Sequence, residues 1–168
     1  GMEIRDERPG DEDAIHALTA EAFRPMPYSS GTEPAIIRAL RASGALTLSL
    51  VAVEDGAIVG HVAFSPVAID GQDEGWFGLG PISVSADRQR QGIGRALIAE
   101  GLRRLAERGA HGCALIGDPA VYGGSGFTSG DLRYGDLDPR LVQHIVLTGE
   151  APSGELRFAP AFDAAAEA

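Results

Sequence analysis

The sequence predicts an α/β protein with a mixed central sheet flanked by helices. Two observations carry this prediction. Asp55-Gly56 joins two long apolar runs, and this dipeptide is typical of a two-residue hairpin between antiparallel strands. Further along, an apolar run, an amphipathic segment and a second apolar run follow one another between residues 76 and 116. That order is typical of two parallel strands joined by a crossover helix.

The first half of the chain is predicted to hold one short strand, two helices and the hairpin. Asp11 is the expected N-cap of the first helix, and Thr32 is the expected N-cap of the second, which Gly44 ends. Prolines and glycine in residues 25–31 separate the helices, so this segment is expected to be a loop. The strands are expected at residues 3–8, 48–54 and 57–69.

The second half is predicted to begin with a long strand at residues 76–84. Pro81 lies inside this apolar run, and proline in such a place predicts a bulge or the end of sheet pairing. A helix is expected at residues 92–108 and a short buried strand in "GCALIG". "DPAVYGGSGF" is expected to form a short helix or turn, and the last third to supply one or two more strands.

Length and composition favour one domain over residues 2–160. We expect residues 161–168 to fray and Gly1 to be a scar of expression in front of Met2. With 14 basic side chains, all arginine, against 24 acidic ones, the net charge of −10 argues against nucleic acid or anionic membrane as a partner. The lack of lysine excludes Schiff-base chemistry. Cys113 is the only cysteine, which excludes an intrachain disulfide and fits a cytoplasmic protein.

No metal centre is expected, because the four histidines lack the spacing of metal ligands. Positive charge is nevertheless concentrated between Pro81 and Arg108, where six arginines face three acidic residues. This segment contains a glycine-rich turn that follows a strand and opens a helix. The first N–H groups of a helix lack partners within it, so such a turn is a candidate anion site.

Three phosphate-binding loops compete for this turn. The nucleotide-hydrolase loop ends in Gly-Lys-Ser/Thr, but Gly94 is followed by Arg95. The dinucleotide fingerprint requires a third glycine at the position that Leu97 occupies. The remaining pattern is Gln/Arg-x-x-Gly-x-Gly/Ala, which residues 89–94 match as Gln-Arg-Gln-Gly-Ile-Gly.

This hexapeptide resembles the acetyl-CoA loop of the GNAT family of N-acetyltransferases. The resemblance extends to "LGPISV" before the loop and to "GDPAVYGGSGF" beyond the next strand, and the order of elements agrees from residue 3 to about residue 148. It implies the acyl-CoA N-acyltransferase fold, with a mixed sheet of about six or seven strands and splayed central parallel strands. Within that family, the sequence resembles most closely the small bacterial acetyltransferases.

The resemblance also implies where acetyl-CoA binds. Main-chain N–H groups of the loop would hold the pyrophosphate, with Arg90 and Arg95 either adding charge or remaining solvated at the surface. The strand before the loop would bind pantetheine through its main chain. The implied contacts are Ile82, Ser83, Val84, Gln89, Arg90, Gln91, Gly92, Ile93, Gly94, Arg95, Asp118 and Tyr122.

The implied catalytic groups carry alternatives. Tyr122 aligns with the family tyrosine that protonates the leaving CoA thiolate, or it is a packed aromatic beside Phe127. The strand before the loop lacks the carboxylate base of many relatives. Glu33 and His61 are candidates for that base, although a helix-start carboxylate and a strand histidine both have ordinary structural roles. Asp118 is a third candidate or a helix cap, and deprotonation through water is the remaining route.

We therefore expect an acetyl-CoA-dependent N-acetyltransferase that uses no metal and transfers the acetyl group directly to an amine. The amine belongs to a small molecule or to a polypeptide, and the acidic surface favours a cationic one. The resemblance implies that the loop at residues 25–31 covers the amine, with Tyr28 either shaping that pocket or belonging to a mobile loop. A homodimer is compatible with the helical faces. The alternative is a non-catalytic module of the same fold that binds or senses acyl-CoA.

Overall fold

The chain folds around a seven-stranded mixed sheet in the order β1-β2-β3-β5-β6-β9-β7, and a smaller sheet has the order β4-β10-β8. The computed structural model describes residues 1–167. The strands are β1 (Met2–Asp6), β2 (Leu48–Glu54), β3 (Ala57–Pro66), β4 (Ala68–Ile69), β5 (Trp76–Val84), β6 (Gly112–Ile116), β7 (Thr128–Ser129), β8 (Asp131–Arg133), β9 (Val142–Val146) and β10 (Ser153–Arg157).

Helices cover both faces of the large sheet. They are α1 (Glu12–Phe23), α2 (Glu33–Ser43), α3 (Ile93–Glu107), α4 (Pro119–Tyr122) and α5 (Pro160–Glu167). Adjacent residues of a strand project to opposite faces, and β2 shows the result. Leu50 joins a core cluster with Leu97 of α3, whereas Val51 packs with Ile15 of α1 and Ile37 of α2. The sheet is therefore sandwiched between α3 and the α1–α2 pair.

The two pairings on which the predicted fold class depends are both present. β2 and β3 are antiparallel, and Asp55 and Gly56 between them have φ values of 52° and 78°. Both residues of the turn are thus left-handed, as a twisted two-residue hairpin requires. β5 and β6 are parallel, and α3 connects them within one residue of the predicted helix bounds.

Asp11 and Thr32 occupy the N-cap positions of α1 and α2 as predicted, but neither side chain makes the capping hydrogen bond. The Asp11 side chain does not cap α1; it accepts hydrogen bonds from the Arg5 guanidinium at 2.7 Å and from the Arg8 main-chain N–H at 2.8 Å. The Thr32 side chain does not cap α2 and instead hydrogen-bonds the Ser30 hydroxyl at 2.7 Å. At Asp11 the charged partner explains the difference, because a charge-assisted hydrogen bond is about twice as strong as a neutral one.

The C-terminal third differs from the prediction in strand number. It forms the four strands β7 to β10 where one or two were expected, because strands of two or three residues are too short to show alternation. At its end a helix begins at residue 160, and Ala161 is buried against Ile36 and Leu40 of α2. Ala168 lies outside the described residues.

A chain of polar side chains runs under α1 and α2. His61 of β3 is fully buried, and its Nε2 lies 2.8 Å from the Ser49 hydroxyl. Ser49 donates to Glu7 at 2.6 Å, and Arg41 donates two hydrogen bonds to the same carboxylate at 2.8 and 2.9 Å. Burial lowers the pKa of His61 to about 4, although the nearby Glu7 carboxylate opposes the shift.

This buried imidazole predicts a loss of stability in mild acid. The ordinary pKa of histidine is 6.5, and the folded value is about 4, so the unfolded chain binds more protons between these values. The free energy of unfolding should therefore fall as the pH is lowered from 6.5, by about 3 kcal/mol below pH 4. Denaturant titrations of His61→Gln should show a shallower fall between pH 6.5 and 4.5.

The matched control is His111→Gln, which removes an exposed imidazole and leaves the buried one in place. An equal pH dependence in His61→Gln and the unmodified protein would contradict the assignment.

Candidate active site

The site begins where β5 and β6 part. The two strands pair at Trp76, Phe77 and Gly78 only, while the end of β6 continues to pair with β9. On its other side β5 remains paired with β3, except that Gly80 and Pro81 form a bulge. The splayed parallel strands and the interruption at the proline, both predicted, are confirmed. Main-chain groups along this edge of β5 from residue 79 to residue 84 consequently face a gap.

A cleft of about 1150 Å³ occupies this gap. Strand β5, the following loop, the start of α3, the end of β6 and α4 form its walls, and the end of α1 closes one side. The lining includes Ala22, Phe23, Met26, Tyr28, Leu79, Gly80, Pro81, Ile82, Ser83, Val84, Arg88, Gln89, Arg90, Gly92, Ile93, Gly94, Arg95, Ile98, Ile116, Gly117, Asp118, Val121, Tyr122, Ser125 and Leu141. Apart from Gln91, every residue predicted to contact the cofactor is in this set.

The glycine-rich loop has the geometry of an anion site. Gly92 is the N-cap of α3 with φ of 82°, and the first turn of that helix carries no acidic residue. Arg90 is also left-handed, with φ of 65°. Two left-handed residues so close together curl the chain, and curled main chain gathers N–H groups into a concave anion site. The pattern of residues had not indicated the conformation of Arg90.

The three arginines of the loop region differ in their partners. Arg88 donates to Glu54 at 2.6 Å and lies 3.4 Å from Asp87. By contrast, Arg90 and Arg95 form no ion pair within the part of the chain whose side chains are described, residues 1–163. Their charge is therefore available to a ligand in the cleft.

Tyr122 stands on α4 at the opposite wall. Its ring meets Phe127 edge to face at 6.4 Å and packs so closely on Gly117 that a Cβ there would overlap it. Burial raises the pKa of the Tyr122 phenol, and the Tyr28 hydroxyl nearby raises it further. Tyr122 is thus protonated at neutral pH and can donate a proton or a hydrogen bond.

Asp118 both lines the cleft and caps a helix. Its Oδ1 accepts the Ala120 main-chain N–H at 2.9 Å at the start of α4. This is the cap that the sequence offered as the alternative to a catalytic role. The carboxylate therefore positions the helix that carries Tyr122.

The structure does not bring the other two base candidates into the cleft. Glu33 accepts a hydrogen bond from Ser29 at 2.7 Å and lines a separate cavity of about 190 Å³. His61 is buried beneath α1 and α2 with Ser49 on its Nε2. Neither side chain is among those that line the main cleft.

Ser83, one of the predicted cofactor contacts on β5, has a buried side chain. Ser83 pairs across the strands with His61, and His61 pairs with Val51, which packs against α1 and α2. Opposed residues project to the same face of a sheet, so Ser83 faces α1. It is 4% exposed and lines the cleft, and its hydroxyl has no hydrogen-bond partner among the described residues.

In residues 1–167, no cluster of three or more His, Cys, Asp or Glu side chains is placed to hold a metal ion. Over the same described span, no helix is both long and apolar enough to cross a membrane.

Parted parallel strands beside a glycine-capped helix are the architecture of an acyl-CoA-dependent acyltransferase. The chain matches the model of the acetyltransferase (GNAT) family over residues 13–121 and belongs to that family, as its resemblance had implied. It is 42% identical over 127 residues to the uncharacterized N-acetyltransferase YhbS of Escherichia coli strain K12, an alignment that covers 75% of this chain and 73% of that protein.

Solved structures agree with this assignment and confirm the predicted fold. A GNAT family acetyltransferase from Brucella melitensis in complex with acetyl-CoA is 47% identical, with a TM-score of 0.88 and coverage of 97% of this chain and 99% of that one. The structure of YhbS from Escherichia coli in complex with CoA is 34% identical, also with a TM-score of 0.88, and covers 96% of this chain and 92% of that one.

Asp118 both caps α4 and lines the cleft, so two substitutions can separate the effect of its capping hydrogen bond from that of its negative charge. Asp118→Ala should lower the free energy of unfolding by about 1 kcal/mol, because it removes an N-cap. Asp118→Asn should retain most of that stability, since asparagine caps as well as aspartate. Equal destabilisation by both substitutions in denaturant titrations would show that the cap is not what Asp118 contributes.

Proposed function

We propose that the protein is an acetyl-CoA-dependent N-acetyltransferase in which an amine attacks the thioester directly within a ternary complex. One observation carries the proposal. A single cleft runs from the N-terminus of α3, along the unpaired edge of β5, to the phenol of Tyr122. A candidate anion site, an unpaired strand edge and a candidate proton donor thus share one cleft, which favours a nucleotide thioester as its ligand. The acetyl-CoA and CoA complexes of the relatives from Brucella melitensis and Escherichia coli support it.

The pyrophosphate of CoA would bind at the start of α3. Main-chain N–H groups of the first turn and the partial positive charge of the helix N-terminus favour an anion there. Arg90 and Arg95 add two charges from the cleft wall. Pantetheine would then lie along β5 as an additional strand, bound by main-chain groups of Ile82 and Val84.

The reaction needs no covalent enzyme intermediate. The neutral amine nitrogen attacks the thioester carbonyl, the carbon–sulfur bond breaks, and the nitrogen loses its proton as the amide forms. The CoA thiolate takes the proton of the Tyr122 hydroxyl, whose raised pKa keeps it protonated until that moment. The products are an N-acetylated amine and CoA, and the tyrosine recovers a proton from solvent.

Deprotonation of the attacking amine is assigned to water in the cleft. Asp118 is the one carboxylate that lines the cleft among the described residues, and one of its oxygens already caps α4. The Ser83 hydroxyl is buried, lacks a protein partner in the described chain and faces α1. Because that oxygen atom is closed to solvent, Ser83 is not a candidate for contact with the amine.

A pair of glycines at the two ends of α3 tests the CoA loop. Gly92 and Gly109 have φ values of 82° and 80°, and a Cβ on either would meet no atom within 4 Å. Glutamate therefore imposes the same backbone strain at each position, but only Gly92→Glu places negative charge where pyrophosphate is expected. CoA at a hundredfold its Kd should raise the melting temperature of Gly109→Glu by about 5–10 °C and leave that of Gly92→Glu unchanged. Equal shifts would place CoA elsewhere.

Tyr122→Phe tests the proton donor. It should lower kcat by about tenfold or more, because general acid catalysis is lost, while the CoA-induced thermal shift stays the same. The control is Tyr134→Phe, which removes the same hydroxyl from a side chain outside the cleft. An undiminished rate in Tyr122→Phe would remove the phenol from the mechanism.

A measurement of acetyl transfer distinguishes the acetyltransferase from a non-catalytic acyl-CoA sensor. Release of free thiol from acetyl-CoA with each amine of a panel, together with the mass of the acetylated product, measures transfer. Thermal stabilisation by CoA without acetylation of any amine would favour the acyl-CoA sensor, and absence of stabilisation would exclude both functions.

A further inference from the structure

We propose that the acceptor is a small amine with an apolar, aliphatic or aromatic body, which binds between the end of α1 and α4. The inference rests on the proposed function, since it names the class of amine that would meet the acetyl group. It replaces the expectation from net charge that a cationic acceptor is preferred.

Two parts of the cleft lining differ in chemistry. The part from the glycine-rich loop and the start of α3 includes Arg88, Arg90 and Arg95. Another part comes from the last turn of α1 and the segment behind it. Its lining consists of Ala22, Phe23, Met26 and Tyr28, faced by Val121 of α4 and by Leu141.

This apolar end lies next to the reacting groups. The Tyr28 hydroxyl is close enough to Tyr122 to influence its titration, and Val121 precedes Tyr122 on α4. Ser83 faces α1 from the strand that would hold the thioester. An amine whose nitrogen approaches the thioester beside Tyr122 would therefore place its carbon skeleton against Tyr28 and Val121.

The carboxylates needed by a polycation are missing from this wall. A buried cationic group requires a carboxylate partner, because its desolvation is otherwise uncompensated. Asp118 is the one Asp or Glu among the described residues that line the cleft, and it is engaged by the Ala120 N–H. Glu33, the carboxylate at the start of α2, turns to Ser29 and lines the separate small cavity.

Two exposed side chains at the mouth of the cleft also favour an amine with an apolar body. Tyr28 is 76% exposed and Val121 is 58% exposed, and both line the cleft. An apolar ligand would remove this surface from water, at a gain of roughly 25 cal/mol for each Å² buried. Concave, largely apolar walls with a few polar groups are typical of small-molecule sites.

A homologous series of amines tests the inference. The n-alkylamines from ethylamine to hexylamine share nearly the same basicity and differ in apolar length. We expect kcat/KM to rise roughly threefold with each methylene until the pocket is filled. 2-Phenylethylamine should exceed agmatine and spermidine by about tenfold or more. A flat series, a preference for agmatine or spermidine, or acetylation of peptide amines alone would overturn the inference.

Variants at Tyr28 test whether the amine preference arises at this end of α1. Tyr28→Glu should lower kcat/KM for 2-phenylethylamine and raise it for agmatine, since it adds a carboxylate at the mouth, whereas Tyr28→Phe should keep the original preference. Val146→Glu is the charge-matched control on an exposed side chain outside the cleft, and its preference should be unchanged. An unaltered preference in Tyr28→Glu would place the amine elsewhere.

The proposed function and this inference fail in different ways. CoA stabilisation without acetylation of any amine would overturn both. Acetylation with a preference for charged amines would overturn the inference and leave the acetyltransferase intact.

Discussion

The parting of β5 from β6 after Gly78 is the constraint on which the site depends. The end of β6 pairs with β9 instead, and the bulge at Gly80 and Pro81 bends β5 where a continued ladder would close the cleft. Proline cannot donate to a ladder, so it favours such an interruption. One consequence is an unpaired strand edge for a cofactor. Another is that residues of α3, on one face of the sheet, and of α1, on the other, line the same cleft.

Much of this arrangement could be predicted because glycine and proline mark it in the sequence. Asp55-Gly56 forms the turn of the β2–β3 hairpin, and Pro81 lies at the interruption of the β3–β5 ladder. Gly92 forms the turn into α3. The helix caps could not be predicted in the same way. Asp11 is drawn to Arg5 rather than to its own helix, and the choice between these partners depends on where β1 places the arginine. The small second sheet was missed because its short strands have no periodicity that a sequence pattern could reveal.

The orientation of His61, a candidate general base, could not be predicted from the sequence. β3 is buried on both faces, so alternation cannot tell whether His61 projects toward the cleft or away from it. The structure places it beneath α1 and α2, and the burial that lowers its pKa to about 4 suits a neutral hydrogen-bonding partner of Ser49. Asp118 is the one carboxylate among the described residues that line the cleft, and its capping bond to the Ala120 N–H appears only in the folded chain.

Net charge is a poor guide to the acceptor because steering and contact act over different distances. The charge of −10 sets a long-range field, which salt screens beyond about 10 Å. Discrimination between bound amines depends on the groups that they touch, and the lining from the end of α1, Ala22, Phe23 and Met26, is apolar. At the proposed acceptor site, a cationic amine would be attracted by the overall charge and would lack a carboxylate partner where it binds.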